Sequence, residues 1–182
     1  NRVVLVRLIA VAVLFSAGIF GSVFLVSQYL QIGMGFDPLE SGLRAAPWTV
    51  VPMAAAPLAG VIVGRRGPKQ VLLVGMVLQT MAIACFAFLS HQNAAYIAYV
   101  IPMMIAGTGM GLTFSPLATA VLIGVAPRDR AVVSGVNQTA RQLGTAMGIA
   151  LCTAIFTAYG AYAPGERFTA GLVPALGACT LL

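Results

Sequence analysis

The stretch between Lys69 and Arg128 contains no formally charged side chain. About 20 apolar residues cross the hydrocarbon core of a bilayer as a helix, so this stretch is long enough for two crossings. Over the whole chain 60% of the residues are hydrophobic and 8% are charged, whereas a soluble domain carries roughly 25% charged residues. The sequence therefore predicts an all-α membrane protein whose main partner is the lipid bilayer.

Further apolar runs on both sides of this stretch predict a polytopic helix bundle. The polar break at residues 90–93 divides the uncharged stretch into two spans. We predict one transmembrane domain over residues 1–182, with five full transmembrane helices and a truncated sixth. The sequence has no initiator Met and stops inside an apolar stretch, which favours a fragment of a longer chain. The predicted spans are residues 8–30, 43–64, 70–89, 94–124, 130–162 and 168–182.

The basic residues alternate between the two ends of these spans. Cytoplasmic connections of membrane proteins carry an excess of Lys and Arg. Seven of the ten basic residues lie at the N-terminal end and in every second connection, against two in the other connections. We therefore expect a multi-pass protein of the cell membrane with a cytoplasmic N-terminal end. The seven are Arg2, Arg7, Arg65, Arg66, Lys69, Arg128 and Arg130, and the two are Arg44 and Arg167.

The charge and the reactive side chains argue against two other classes of protein. The net charge of +6 comes from small basic clusters between apolar runs, so no continuous basic face for nucleic acid is predicted. His91 is the only histidine, and no phosphate-cradling G-x-x-x-x-G-K motif is present. We predict neither an enzyme nor a cofactor or metal site. The three cysteines lie inside apolar runs and are interpreted as small buried hydrophobic residues.

A helix start is predicted before the second span. Asp37 is a suitable N-cap, Pro38 suits the first helical position, and Glu40 follows the cap by three residues. Glu40 and Arg44 are then four residues apart, in the order that favours an ion pair on one helix face.

Prolines and glycines suggest bent and closely packed spans. Pro47, Pro52 and Pro57 lie in the second span. Proline removes a backbone donor and bends helices, so this span is predicted to line a cavity and to rock, although prolines are also common in ordinary membrane helices. Spaced glycines let another helix approach closely, either for static packing or for helices that slide. Those on the fourth and fifth spans are Gly107, Gly111, Gly144 and Gly148, and Pro116 follows the first pair.

Five residues are candidates for lining a substrate cavity. Arg141 is the only charge in the interior of a predicted span, away from its ends, and Asn137 lies one turn before it. Charges inside membranes usually face a bundle interior or a cavity. The alternative is that Arg141 snorkels to the cytoplasmic interface, because the apolar run after it is long enough to cross alone. Gln28 and Gln31 close the first span as cavity residues or interfacial anchors, and Met110 suits an apolar cavity or ordinary packing.

Three stretches resemble the major facilitator superfamily, specifically its drug:proton antiporters with fourteen spans. Residues 60–69 look like the family's cytoplasmic gate loop, written G-x-x-x-D-R-x-G-R-K, and residues 36–44 and 134–144 are similar to two further motifs. Gly64 stands where the family's loop usually has Asp, and Pro68 stands where a basic residue is common. These departures put in doubt an acid-based latch at the cytoplasmic gate. The residues that the resemblance assigns to the cytoplasmic gate loop are Gly60, Gly64, Arg65, Gly67 and Lys69.

The resemblance implies one half of a major facilitator fold, built from inverted three-helix repeats, with substrate near the midplane between the halves. It implies alternating access and proton-coupled efflux of hydrophobic or cationic small molecules, as in multidrug transporters. The partners would be the missing N-terminal half of the same chain, a small-molecule substrate and protons. No midspan carboxylate is present, so a proton-accepting acid is expected in the missing half. The alternative is a membrane sensor or assembly subunit that transports nothing.

Overall fold

The computed structural model describes residues 2–91, 94–162 and 166–181. These ranges are helical with short connections and contain no strand. A π-helical segment, Tyr29–Gly33, extends the first helix, and a 3-10 turn, Pro127–Asp129, precedes the sixth. The predicted polar break at residues 90–93 and the end of the last predicted span lie partly outside the described residues. The α-helices are α1 (Arg2–Gln28), α2 (Pro38–Arg44), α3 (Ala46–Arg66), α4 (Pro68–His91), α5 (Tyr96–Leu122), α6 (Arg130–Tyr159) and α7 (Glu166–Leu181).

Five helical segments of the described chain are long and apolar enough to cross a membrane. The second of these combines α2 and α3, and α7 is a shorter apolar helix. The predicted fold class, an all-α bundle with five full-length spans and a shorter sixth, is confirmed. The segments are Val3–Gly33, Pro38–Arg66, Pro68–Ser90, Tyr96–Leu122 and Pro127–Tyr159.

Helices α1 and α6 pack in parallel, backbone against backbone. A Cβ atom on Gly144 would collide with the carbonyl oxygen of Val13, and one on Gly148 with the carbonyl oxygen of Ala17. Both positions advance by four residues in the same direction, so the two helices run parallel. Only glycine permits this approach, because any side chain at these positions would push the backbones apart.

Helices α3 and α5 form an equivalent parallel crossing. A Cβ atom on Gly107 would lie 2.7 Å from the carbonyl oxygen of Trp48, and one on Gly111 would lie 2.7 Å from the Cβ of Ala55. Pro52 cannot donate to the carbonyl of Trp48, four residues earlier, so Gly107 lies against a carbonyl that the helix itself leaves free. Pro47 lies in the first turn of α3, where no intrahelical donor is needed, so it marks a helix start and not an interior bend.

These two crossings join two sets of three helices within the bundle. The bundle contains two sets of three helices, α1, α3 and α4 in the first and α5, α6 and α7 in the second. The first helix of each set packs against the second helix of the other set, α1 against α6 and α5 against α3. Helices α4 and α7, the third of each set, pack against each other. The contacts therefore follow an approximate two-fold exchange of three-helix units.

Helix α5 is the most buried span, whereas α3 and α6 are the most exposed. In the most apolar window of each helix, 44% of the residues are buried in α5, against 17% in the α2–α3 segment and 22% in the segment with α6. Exposed apolar side chains such as Met53, Leu58, Leu143 and Met147 cover these two helices. In a bilayer such faces lie against lipid or against another part of a protein.

The connection between α1 and α3 is held by one arginine. The predicted cap and ion pair are present: Asp37 Oδ1 accepts from the Glu40 N–H at 2.8 Å, and Arg44 binds Glu40 Oε1 at 2.7 Å. The Arg44 guanidinium also lies 3.9 Å from the ring centre of Phe36 and 4.5 Å from that of Tyr96. The Tyr96 hydroxyl donates to the carbonyl of Arg44 at 2.8 Å. We call these residues the Arg44 clasp, which ties the start of α5 to this connection.

We expect Arg44→Ala to lower the melting temperature of the purified protein in detergent by a few degrees. The substitution removes two cation–π contacts of about 0.5–1 kcal/mol each and a partly exposed ion pair of about 0.5 kcal/mol. Arg128→Ala is the matched control, because the side chain of Arg128 is 88% exposed and lies 3.7 Å from its acidic partner. Equal melting temperatures for both variants would contradict a stabilising role for the clasp.

Candidate functional site

The candidate site begins with the inward face of α6. Asn137, Arg141, Gly144 and Gly148 follow one another at spacings of four, three and four residues, so they share one helix face. The two glycines pack against the backbone of α1, as described above. Asn137 is 6% exposed, and its side-chain oxygen has no hydrogen-bond partner. The same helix face therefore turns Arg141 towards the bundle.

The Arg141 side chain packs against an aromatic ring of α5. Its guanidinium carbon lies 4.2 Å from the ring centre of Phe114, and its Nε atom is buried without a hydrogen-bond partner. A snorkelling arginine would extend its head group to the aqueous boundary. Arg141 places the guanidinium over the aromatic face of Phe114, where the ring quadrupole attracts a cation.

Two rings of α1 hold Phe114 in place. The ring centre of Phe114 lies 5.5 Å from that of Phe15 and 6.3 Å from that of Phe20, both in edge-to-face arrangements. We call Phe15, Phe20, Phe114, Asn137 and Arg141 the Arg141 site. It joins α1, α5 and α6, so any movement of α6 against the other two helices changes it.

The Arg141 site is cationic without an acidic counterpart in the described spans. Asp37, Glu40 and Asp129 lie in the connections or first turns of helices, and the ion pairs found among the described residues involve Arg44 and Arg128. An intramembrane charge is costly unless a partner or a hydrated cavity compensates it. The site is therefore suited to contact with water, with an acid from another part of the protein or with a polar group of a substrate.

The other predicted substrate residues lie at increasing distance from Arg141. Met110 is on α5, one turn from Phe114, and is partly buried against the core. Gln28 lies two turns beyond Phe20 on α1, about 12 Å along the helix axis. Gln31 lies further on in the π-helical segment, where its Nε2 atom donates to the Ser27 hydroxyl at 3.4 Å. Asn137 and Arg141 therefore share one face of α6, Met110 lies one turn from Phe114 on α5, and the two glutamines lie at the far end of the first helix.

A cavity of about 620 Å³ lies elsewhere, between the ends of α1, α4 and α5. Its wall is apolar, with Leu8, Leu72 and Leu117 from the three helices, and Lys69 is its one charged residue. None of the five predicted substrate residues lines it. It is therefore separate from the Arg141 site.

The residues of the predicted gate loop form a very short turn. Helix α3 ends at Arg66 and α4 begins at Pro68, with Gly67 between them at a φ angle of 81°. The Gly67 N–H donates to the carbonyl of Val63 at 2.9 Å. Arg65, Arg66 and Lys69 are exposed, and added Cβ atoms on Gly60 and Gly64 would meet no neighbour within 4 Å.

Sequence reasoning missed several buried polar groups. Ser16, Trp48 and Gln79 are at most 4% exposed. The Ser16 hydroxyl, the Trp48 indole nitrogen and both polar atoms of the Gln79 amide have no hydrogen-bond partner. Gln79 could have been noticed as a polar residue in the middle of an apolar run. For Phe114 no sequence signal distinguishes a ring under a guanidinium from one in lipid.

Comparison with known proteins identifies relatives of this bundle. The model of the Major Facilitator Superfamily matches residues 1–149. A multidrug resistance protein B homolog of Mycobacterium tuberculosis is 35% identical over 78% of this chain, and multidrug efflux pump LfrA of Mycolicibacterium smegmatis is 30% identical over 86%. A probable actinorhodin transporter of Streptomyces coelicolor is 29% identical over 81%.

The chain spans only part of these relatives, from 26% to 31% of their own length. The family match nevertheless covers most of this chain, including α1 to α5 and the part of α6 that carries Arg141. The resemblance predicted from the three sequence motifs is confirmed, and it indicates a multi-pass membrane transporter family and not an enzyme. This chain belongs to the major facilitator superfamily.

Proposed function

We propose that this chain is the C-terminal half of a secondary transporter that exports hydrophobic or cationic small molecules in exchange for protons. The single observation that carries the proposal is the Arg141 site, a cationic and aromatic cluster at the junction of α1, α5 and α6. Relatives named for multidrug resistance and multidrug efflux support this class of substrate. The N-terminal end and the gate loop would face the cytoplasm of a cell membrane.

The packing suits alternating access. At the parallel crossings of α1 on α6 and of α3 on α5, glycines of one helix meet backbone atoms and small side chains of the other, which suits small sliding movements. The exposed apolar faces of α3 and α6 would meet the other half of the transporter. The half would then rock as a unit, opening the Arg141 site to one side at a time.

Proton coupling would need an acid from outside the described spans. The acidic residues of those spans are confined to helix starts, so none lies at the depth of Arg141. We propose that the missing half supplies the proton-accepting carboxylate, and that Arg141 senses its charge across the interface between the halves.

The test is transport by the full-length protein in proteoliposomes. We expect a fluorescent cationic dye such as ethidium to move when a pH gradient is imposed, and to stop when nigericin collapses the gradient. Empty liposomes under the same gradient are the control. Dye movement that persists after collapse would remove proton coupling, and no movement of any of several cationic and neutral dyes would favour a non-transporting membrane subunit.

A further inference from the structure

Two cysteine thiols meet where α6 crosses α7. The Sγ atoms of Cys152 and Cys179 lie 2.8 Å apart, and the two residues are 0% and 4% exposed. Both are free thiols. The sulfur atoms of a disulfide are about 2.05 Å apart, so a movement of about 0.8 Å would bring the pair to bonding distance.

Gly21 on α1 has no side chain and so leaves space for this pair. A Cβ atom on Gly21 would lie 2.5 Å from the Sγ of Cys152 and 3.3 Å from that of Cys179. A larger residue at position 21 would displace the Cys152 sulfur and press on the carbonyl oxygen of Gly148. The prediction that all three cysteines are buried is wrong for Cys85, which is exposed on α4. Cys85 has no thiol partner among the described residues.

We propose that Cys152 and Cys179 form an oxidative modification site at which hydrogen peroxide joins α6 to α7 by a disulfide. The thiolate of one cysteine attacks a peroxide oxygen, which breaks the O–O bond and leaves a sulfenic acid and hydroxide. The second thiolate attacks the sulfenic sulfur, forms the S–S bond and releases another hydroxide. With the two thiol protons, the products are one disulfide and two water molecules. The two sulfurs are oxidised, and the peroxide is reduced.

The order of the two steps follows from access. Cys179 lines a cavity of about 180 Å³ between α1, α4 and α7, and Cys152 does not. Gln79 lines the same cavity with an amide that has no partner, and that amide can both donate to and accept from a small polar molecule such as peroxide. Cys179 is therefore the sulfur that peroxide reaches first, and Cys152 is the resolving thiol.

A disulfide at this position would restrain α6. The helix carries Asn137 and Arg141 on the same face as Cys152, and α7 is packed against α4 and α1. A bond between α6 and α7 would hold α6, the helix that carries Arg141, against α7 and its neighbour α4. Formation of the bond itself does not depend on the proposed transport.

The experiment uses the full-length protein in native membrane vesicles. The vesicles are treated with hydrogen peroxide, the protein is denatured in N-ethylmaleimide, and its peptides are mapped by mass spectrometry. We expect the peptides of Cys152 and Cys179 to be joined, with loss of two hydrogen masses and of alkylation at both residues, and to separate again in dithiothreitol. Alkylation of both residues after a peroxide dose that has oxidised methionines of the same protein would overturn the proposal.

Matched variants exclude other pairings. Cys85→Ser should keep the cross-link, whereas Cys152→Ser and Cys179→Ser should each lose it and leave the remaining cysteine unjoined. A cross-link of Cys179 that survives Cys152→Ser would contradict the assignment. Peptide mapping of the wild-type protein tests whether Cys152 and Cys179 are joined even if a variant folds poorly.

Discussion

Gly148→Leu is expected to abolish correct assembly of the bundle. A Cβ atom at this position would overlap the backbone of Ala17, including its carbonyl oxygen, and backbone cannot rotate away as a side chain can. Overpacking against flexible side chains already costs about 1–3 kcal/mol. The clash here forces α1 and α6 apart along their whole crossing, so we expect the largest loss of stability of any substitution considered.

The measurement is the yield of monodisperse full-length protein in detergent, followed by its melting temperature. Gly148→Ala should show the same defect in weaker form, because the Cβ alone collides. Gly135→Leu is the matched control on the same helix, since nothing lies within 4 Å of a Cβ atom there. Gly135→Leu should be neutral or slightly stabilising, because glycine costs about 1 kcal/mol in a helix interior. Normal yield of Gly148→Leu would show that the α1–α6 crossing is looser than described.

Arg141→Ala is expected to reduce transport about tenfold or more while the protein still folds. The substitution removes the only cation of the site, so the polar or acidic group that Arg141 would contact during transport loses a charged hydrogen-bond partner worth about 1.5–3 kcal/mol, which corresponds to a factor of ten or more. Folding should survive, because Arg141 makes no ion pair or hydrogen bond with another helix in the described part of the chain. The measurement is dye transport per folded molecule in proteoliposomes.

Two further variants separate charge from stacking. Arg141→Lys keeps the charge but loses the planar guanidinium, so partial activity would indicate that charge matters most. Phe114→Leu keeps an apolar side chain and removes the ring face. Arg130→Ala is the control, because Arg130 is exposed at the start of α6. Wild-type transport by Arg141→Ala would favour the snorkelling interpretation and remove Arg141 from the site.

Local sequence signals predicted the connections well. The cap at Asp37, the first-turn proline at position 38 and the pair of Glu40 with Arg44 are all present, because each depends on residues within one turn of each other. The contacts of Arg44 with the rings of Phe36 and Tyr96 were not predicted. Tyr96 lies more than fifty residues from Arg44, and no local pattern links them.

Signals that concern helix faces were less informative. The spaced glycines on α5 and α6 indicated close approach but not which helix would approach. Gln28 and Gln31 appeared equivalent to Asn137 as polar residues in spans, yet they lie at the far end of the bundle. Lipid chains are as apolar as leucine, so a helix face towards lipid and a face towards another helix can have the same composition.

The sequence alone determined that this chain lies in a lipid bilayer, that it is all-helical and how many spans it has. Hydropathy and charge act within single stretches of chain, so no tertiary structure is needed to interpret them. The tertiary structure decided which backbones meet at Gly144 and Gly148, where the Arg141 guanidinium lies, and that Cys152 faces Cys179. Those contacts join residues on different helices. They depend on how the helices rotate and cross, which the apolar pattern of a membrane span does not encode.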